Sequence, residues 1–531
     1  MSSENEKVYT ADDKSLEKGV APGYIVPAGN DDDDRYHFSA VDTDRIAGTI
    51  GTGLFLGSGS ALSGAGPLGA LLAYMLVGTV AYASLCSIGE MTSLAPISGT
   101  FPHFAARWVD PALGFAAQAI TVPVEVVAAQ ILISFWDDNK DHAPIYLAVF
   151  CVAVCTINIF GARWFGESEF FFSIIKLSLI TGLIIAGLVI DLGGGPDRDR
   201  LGFRYWKNPG SFARAGLVSH IGADRFIAFL NVFVQAAFSF QGMELVAIAA
   251  SETENPRRNI ARAVRRVFWR ILIFYILGIL ITGMLVPYND SSLLGGGGTA
   301  TASPYVIAIR RAGISVLPSV INAGIFTSAL SAGNSFLFAA SRVLYGLSIR
   351  GQAPRIFSYC TKGGIPIASV LFTSCFAFLS FMSVSSGSAD VFTWFQSLTT
   401  VAGFFTWGTI NLTYIRFWAG HRKQGLDRTK LVYYSTLQPG LAIWGLFWTS
   451  FFILINGLKV FFVWNSADFV TAYLNVPLFF LTYAGWKIWK RTKFWRSHEM
   501  DFWRGIPTIE ETEAPEVPPK NLGEKIFNAL F

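Results

Sequence analysis

Gly48-Thr49-Ile50-Gly51-Thr52-Gly53-Leu54-Phe55 opens the first apolar run of this chain, and its reading decides the fold. A helix dotted with glycine so near its start is open to interruption. A second candidate interruption, Phe238-Ser239-Phe240-Gln241-Gly242-Met243-Glu244, falls in the sixth apolar run. Lone glycines would mean only close helix packing. If the first ten runs form two halves of five, however, each interruption opens its half. Interrupted helices at matching positions are the sequence pointer to a transporter binding site.

The rest of the chain supports a membrane setting. It has 531 residues, of which 52% are hydrophobic and only 15% charged, fewer charges than a soluble domain carries. Apolar runs of about 20 residues, enough to cross a bilayer, lie near 45–64, 67–93, 111–136, 143–163, 168–190 and 226–250. Others lie near 268–287, 318–346, 366–384, 391–417, 440–463 and 467–489. Hydrocarbon offers no water to a free peptide group, so such runs must be helices. The expectation is an all-α integral membrane protein of about twelve transmembrane helices, with the lipid bilayer as its first partner. Residues 1–44 read as a disordered cytosolic tail without a signal peptide, 45–490 as the transmembrane domain, and 491–531 as a second cytosolic tail. The net charge of +4 gives no reason to expect nucleic acid. Cys151 and Cys155 are one helical turn apart but have no further ligands nearby, so they read as packing residues and not as a metal site. No cofactor is expected.

Charge placement sets the orientation. Arg257, Arg258, Arg262, Arg265, Arg266 and Arg270 follow the sixth run, Arg350 and Arg355 the eighth, and Arg416, Arg422 and Lys423 the tenth. Lys490, Arg491, Lys493 and Arg496 follow the last. All share one parity, so these loops and both termini are expected to face the cytosol.

A broken helix exposes N–H groups at one new end and C=O groups at the other. The N–H end suits a carboxylate and the C=O end an ammonium. An α-amino acid carries both on one carbon. Gly51, Gly53 and Gly242 would permit backbone exposure, and Thr52 would add a hydroxyl. Ionisable residues at bilayer depth are costly and so are read as functional or paired. Glu90, Glu125, Lys176 and Glu244 are the candidates. Glu90 sits at a span end and can be solvated there. Lys176 lies about eight residues into its span, roughly 12 Å deep at 1.5 Å per residue. Its side chain is too short to bring the ammonium to water. No hydrolase, zincin or P-loop signature appears.

Several motifs together resemble the fungal amino-acid permeases of the amino acid–polyamine–organocation superfamily. They are Gly48 to Gly59, Gly89-Glu90-Met91, Val109 to Phe115, Ala237 to Val246 with Glu252 to Arg257, Gly333-Asn334-Ser335, Ser341 to Tyr345, Gly351 to Pro354, Phe405 to Gly408, and Leu437-Gln438-Pro439. They run in order from about residue 46 to 490. The resemblance implies two inverted five-helix repeats (the LeuT-like arrangement) plus two C-terminal helices. It implies uptake of an amino acid with protons across the plasma membrane. It places the substrate at Gly51, Thr52, Gly53, Phe240 and Gly242, with Glu244 beside them, and proton coupling at Lys176 and Glu125. Ubiquitin-ligase adaptors would act on the cytosolic tails. The alternative within this resemblance is an amino-acid sensor with little or no transport. The chain departs from the family pattern in two places. Asp42, Asp44 and Arg45 stand where apolar residues usually precede Gly51, and the third span lacks an aromatic-rich stretch between Phe115 and Ile120. Either loss could leave the chain inactive.

Overall fold

The computed structural model describes residues 51–513 apart from 98–99, 117–121, 138, 161, 197, 251–254, 296–302, 315 and 362–363. Gly48 to Ile50, the N-terminal tail, Glu252 to Glu254 and the end of the C-terminal tail lie outside the described residues. Regular structure among the described residues is helical throughout, and the described parts of the apolar runs fall mainly on helices. Among the described residues, seven helices are long and apolar enough to cross a membrane, and Val124–Ile133 and Ala143–Ile159 are shorter apolar helices. The protein is a multi-span membrane protein.

The first two spans share the 37 residues of Ser58–Leu94, two helices that meet at a kink. At 1.5 Å per residue that is roughly 55 Å, far longer than one crossing of ~30 Å. The chain turns at Gly66, whose φ of 78° and ψ of 173° are not helical, and Pro67 starts the next segment. Two backbone hydrogen bonds hold residues of the 191–225 loop at this corner: Leu68 N–H to the Ser211 carbonyl and Ala213 N–H to the Ala65 carbonyl, each 3.0 Å. A Cβ on Gly66 would come within 2.6 Å of the Ala213 nitrogen, so only glycine fits.

The Leu317–Ile349 helix packs on Val122–Ile133, Ala162–Asp191 and Ala143–Ile159. It can approach them closely because Ser328, Ala329, Ser331, Ala332, Gly333 and Ser335 are buried and small. Ser58–Leu94 packs on Phe233–Phe240, Gly440–Ile455 and Ser388–Lys423. Large apolar side chains cover the outside instead, among them Phe171 at 63% and Leu454 at 75% exposure. So much outward apolar surface suits contact with lipid. The described parts of the third span are the helices Pro111–Ala116 and Val122–Ile133.

The segment after the last helix is packed and not loose as far as Glu513. Trp495 N–H donates to the Val109 carbonyl at 2.9 Å, and Phe502 stacks near Trp108. Arg257 draws several parts together. Its guanidinium donates to the carbonyls of Ser93 (3.0 Å) and Leu94 (3.3 Å) at a helix end, and to those of Pro507 (2.5 Å) and Thr508 (3.0 Å) in this segment.

Candidate substrate site at the sixth-span break

The sixth span stops and restarts. Phe233–Phe240 ends at Gln241, whose ψ of 149° is extended, and Leu245–Ala250 begins after Glu244. Gly242 makes the reversal possible with a φ of 89°, which a side chain would strain. Gln241 Nε2 ties the break to the neighbouring helix by donating to the Thr399 carbonyl at 2.8 Å. Among the described residues the other amide atom, Gln241 Oε1, has no partner.

The first span meets this break directly. Gly51 is the first described residue, Thr52 is helical, and Gly53–Gly57 forms a π-helical turn, an irregularity common at functional sites. A Cβ on Gly53 would lie 2.6 Å from Ser239 Cα, so the two backbones touch here. Ser239 shares a 2.7 Å hydrogen bond with Tyr74. The Phe240 ring is fully buried, 4.5 Å from the Tyr275 ring centroid and 5.9 Å from that of Tyr74. Phe240 therefore supports the break through its ring.

Glu125 lies on the other side of Gly51. Thr52 Oγ1 donates to Glu125 Oε2 at 2.9 Å, and a Cβ on Gly51 would sit 3.6 Å from Oε1. Gly333 of the Leu317–Ile349 helix leaves room for the carboxylate stem, with its own Cβ position 3.4 Å from Glu125 Cβ. The structure thus brings Gly51, Thr52 and Glu125 together, and sets Gly53 against the residue before Phe240.

Glu244 does something the sequence did not suggest. Its carboxylate accepts from its own backbone N–H and from that of Gly242. Trp407 Nε1 also donates to it at 3.1 Å. The first N–H groups of the restarted helix are taken by backbone carbonyls: Leu245 donates to Gly242 at 3.1 Å, Val246 to Met243 at 3.3 Å and Ala247 to Glu244 at 3.1 Å. Glu244 lines a mostly apolar cavity of about 150 Å³ with Phe101, Ile248, Phe336, Leu347 and Thr406.

The remaining candidates stand apart from the break. Lys176 is fully buried and pairs with Glu169, two turns back on its own helix, at 3.3 Å. Glu169 was missed in the sequence because it lies at the edge of an apolar run. Its seven-residue spacing from Lys176 puts both on one helix face and could have found it. Glu90 is held by Arg428 Nη1 at 3.0 Å and 3.1 Å and by Ser435 N–H at 3.1 Å. Among the described residues no cluster of His, Cys, Asp or Glu could hold a metal ion.

The arrangement can receive a small zwitterion. Phe233–Phe240 presents its last carbonyls toward the irregular start of the described first span. The two ends lie where the backbones meet at Gly53 and Ser239.

Comparison with known proteins gives the family. The family described as Amino acid permease matches residues 45–499. The chain is 37% identical over 500 residues to the dicarboxylic amino acid permease of Saccharomyces cerevisiae, covering 90% of this chain and 82% of that one. It is 39% identical over 462 residues to the general amino-acid permease GAP1 of the same yeast, covering 84% and 75%. It is 38% identical over 504 residues to the proline-specific permease of Emericella nidulans, covering 92% and 91%. With the match running from the first span into the packed segment after the last, the chain belongs to the amino acid permease family of multi-span membrane transporters.

Proposed function

We propose that this permease is a proton-coupled amino-acid symporter of the plasma membrane. Its twelve helices form two inverted five-helix repeats plus two, with both termini in the cytosol. The observation that carries the reading is the meeting of two irregular backbones, Gly53 against Ser239, beside the Gly242 reversal. The substrate carboxylate binds the N–H groups around Gly51, Thr52 and Gly53. Its ammonium binds the carbonyl end of the helix that stops at Phe240. Glu244, at the restart of the sixth span, lies beside the bound substrate. Glu125 and Lys176 carry the proton. Glu125 touches the first span through Thr52, so its charge state bears on the segment that holds the substrate.

The test is uptake of a labelled mixture of the protein amino acids by cells lacking their own permeases. The native chain accumulates label, and a protonophore stops it. Gly53→Leu drives a side chain into Ser239 and abolishes uptake of every substrate, while a surface tag shows it still in the membrane. Loss of one substrate alone would contradict a site built on the shared backbone part. A tag at position 260 stays hidden from outside intact cells and one at 295 is reached; the reverse would overturn the orientation.

A further inference from the structure

Lys176 and Glu169 lie on the Ala162–Asp191 helix, both fully buried, with Nζ 3.3 Å from Glu169 Oε1. The second oxygen, Glu169 Oε2, accepts from Ser331 Oγ at 2.6 Å and from Ser335 Oγ at 3.2 Å. These serines are one turn apart on the neighbouring Leu317–Ile349 helix. One carboxylate therefore joins a cation of its own helix to two hydroxyls of another. The charged groups that face Lys176 among the described residues are Glu169 and, from the Val122–Ile133 helix, Glu125.

We propose that Glu169 is the positioning residue of the proton-coupling lysine: it holds the ammonium of Lys176 in charge and links that charge to the place of the Leu317–Ile349 helix. The inference rests on reading Lys176 as the coupling group. A buried ammonium and carboxylate are tolerable as a pair, while either alone is a bare charge in a dry interior. Proton loss from Nζ leaves one uncompensated negative charge on Glu169, so the proton stays until water reaches the pair. It then passes to that water, and no other bond changes. The serines make the state depend on shape. Two hydroxyl donors favour the ionised carboxylate, which in turn favours the charged lysine. A shift of the Leu317–Ile349 helix that withdraws Ser331 and Ser335 removes those donors and eases proton release. Movement of the helix thereby changes how firmly the proton is held, which is what coupling requires.

The test uses the full chain in reconstituted vesicles with the same labelled amino-acid mixture, comparing Glu169→Gln, Glu169→Asp, Ser331→Ala with Ser335→Ala, and Lys176→Met. Glu169→Gln keeps the shape and removes the counter-charge. Its uptake profile moves to lower pH by about one to three pH units, the span expected for losing an opposite charge at this range. Substrate exchange at equal pH on both sides survives. Glu169→Asp restores most of the profile, and the double serine variant moves it the same way by less. A merely structural role would lower uptake at all pH values without moving the profile, and that result overturns the proposal. Lys176→Met separates the two claims. If it loses gradient-driven accumulation and keeps exchange, while Glu169→Gln has the native profile, coupling at Lys176 stands and the role of Glu169 falls. If Lys176→Met still accumulates substrate against the gradient, the coupling reading fails and this inference with it.

Discussion

Glu90 and Glu125 are both buried carboxylates in apolar spans, and they are supplied with donors in opposite measure. Glu90 has Arg428 on both oxygens and the Ser435 N–H besides. Glu125 has the Thr52 hydroxyl as its one hydrogen-bond donor among the described residues. An ionised carboxylate can accept roughly four hydrogen bonds. Glu90 is thus held in an ion pair that ties the end of Ser58–Leu94 to the loop that carries Arg428. Glu125 is under-supplied. The two are similarly buried, so burial alone does not say how firmly a carboxylate is held; the donors it is given do.

The largest effect should come from breaking the anchor. Arg428→Met leaves Glu90 buried and unpaired, which destabilises by about 3–5 kcal/mol. Thermal unfolding in detergent should show it, together with loss of the protein from the membrane. Near-native stability would mean that Glu90 is as loosely held as Glu125. Glu125→Gln should give the converse. The unfolding curve stays close to native, while proton-driven uptake falls about a hundredfold, the scale of losing a positioned acid–base group. A stability loss as large as that of Arg428→Met would erase the distinction.

Thr52→Ala sharpens the comparison at smaller scale. It removes the donor from Glu125, and with it the link to the first span. Loss of one hydrogen bond to a charged group is worth about 1.5–3 kcal/mol, so uptake should drop by tenfold or more while protein level holds. Thr52→Ser should recover most of it.

The smallest effect belongs to a third carboxylate, outside the spans. Asp137 is held by the Tyr146 hydroxyl at 2.5 Å and by His142 Nδ1 at 2.6 Å, which lower its pKa to about 2. An ordinary Asp sits near about 3.9. The folded value is the lower one, so this clasp is fully present above about pH 4 and is lost only as pH falls through about 2. Asp137→Asn should change uptake by less than about twofold from pH 4.5 to pH 7, as for other exposed positions. A clear pH-dependent loss in that range would show that the loop takes part in coupling.

Much of this was legible in the sequence. Apolar run length gave the helical class, because hydrocarbon permits little else. Gly242 gave the sixth-span break, because a reversal there needs positive φ. The site was only half legible. Gly51, Thr52 and Glu125 come from the first and third spans, and no periodicity says that a hydroxyl at 52 meets a carboxylate at 125. Glu244 reads as a ligand in sequence, and no periodicity says that Trp407 of a distant helix donates to it. Glu169 escaped notice because its neighbours Gly166, Glu167 and Ser168 read as a span edge. Its burial is imposed by Ser331 and Ser335 from a distant part of the chain. The packed segment up to Glu513 was unreadable for the same reason. Its polar carbonyls find Arg257 only in the folded protein.

If a proton gradient drives an amino acid through the place where Gly53 meets Ser239, purified protein in sealed vesicles will show it. The vesicles are acidic outside and are given a labelled amino-acid mixture with and without a protonophore. Label should concentrate inside above the outside level, collapse to equality when the protonophore is added, and fail to accumulate with Gly53→Leu. Label that only equilibrates, untouched by the protonophore, would contradict proton-driven uptake.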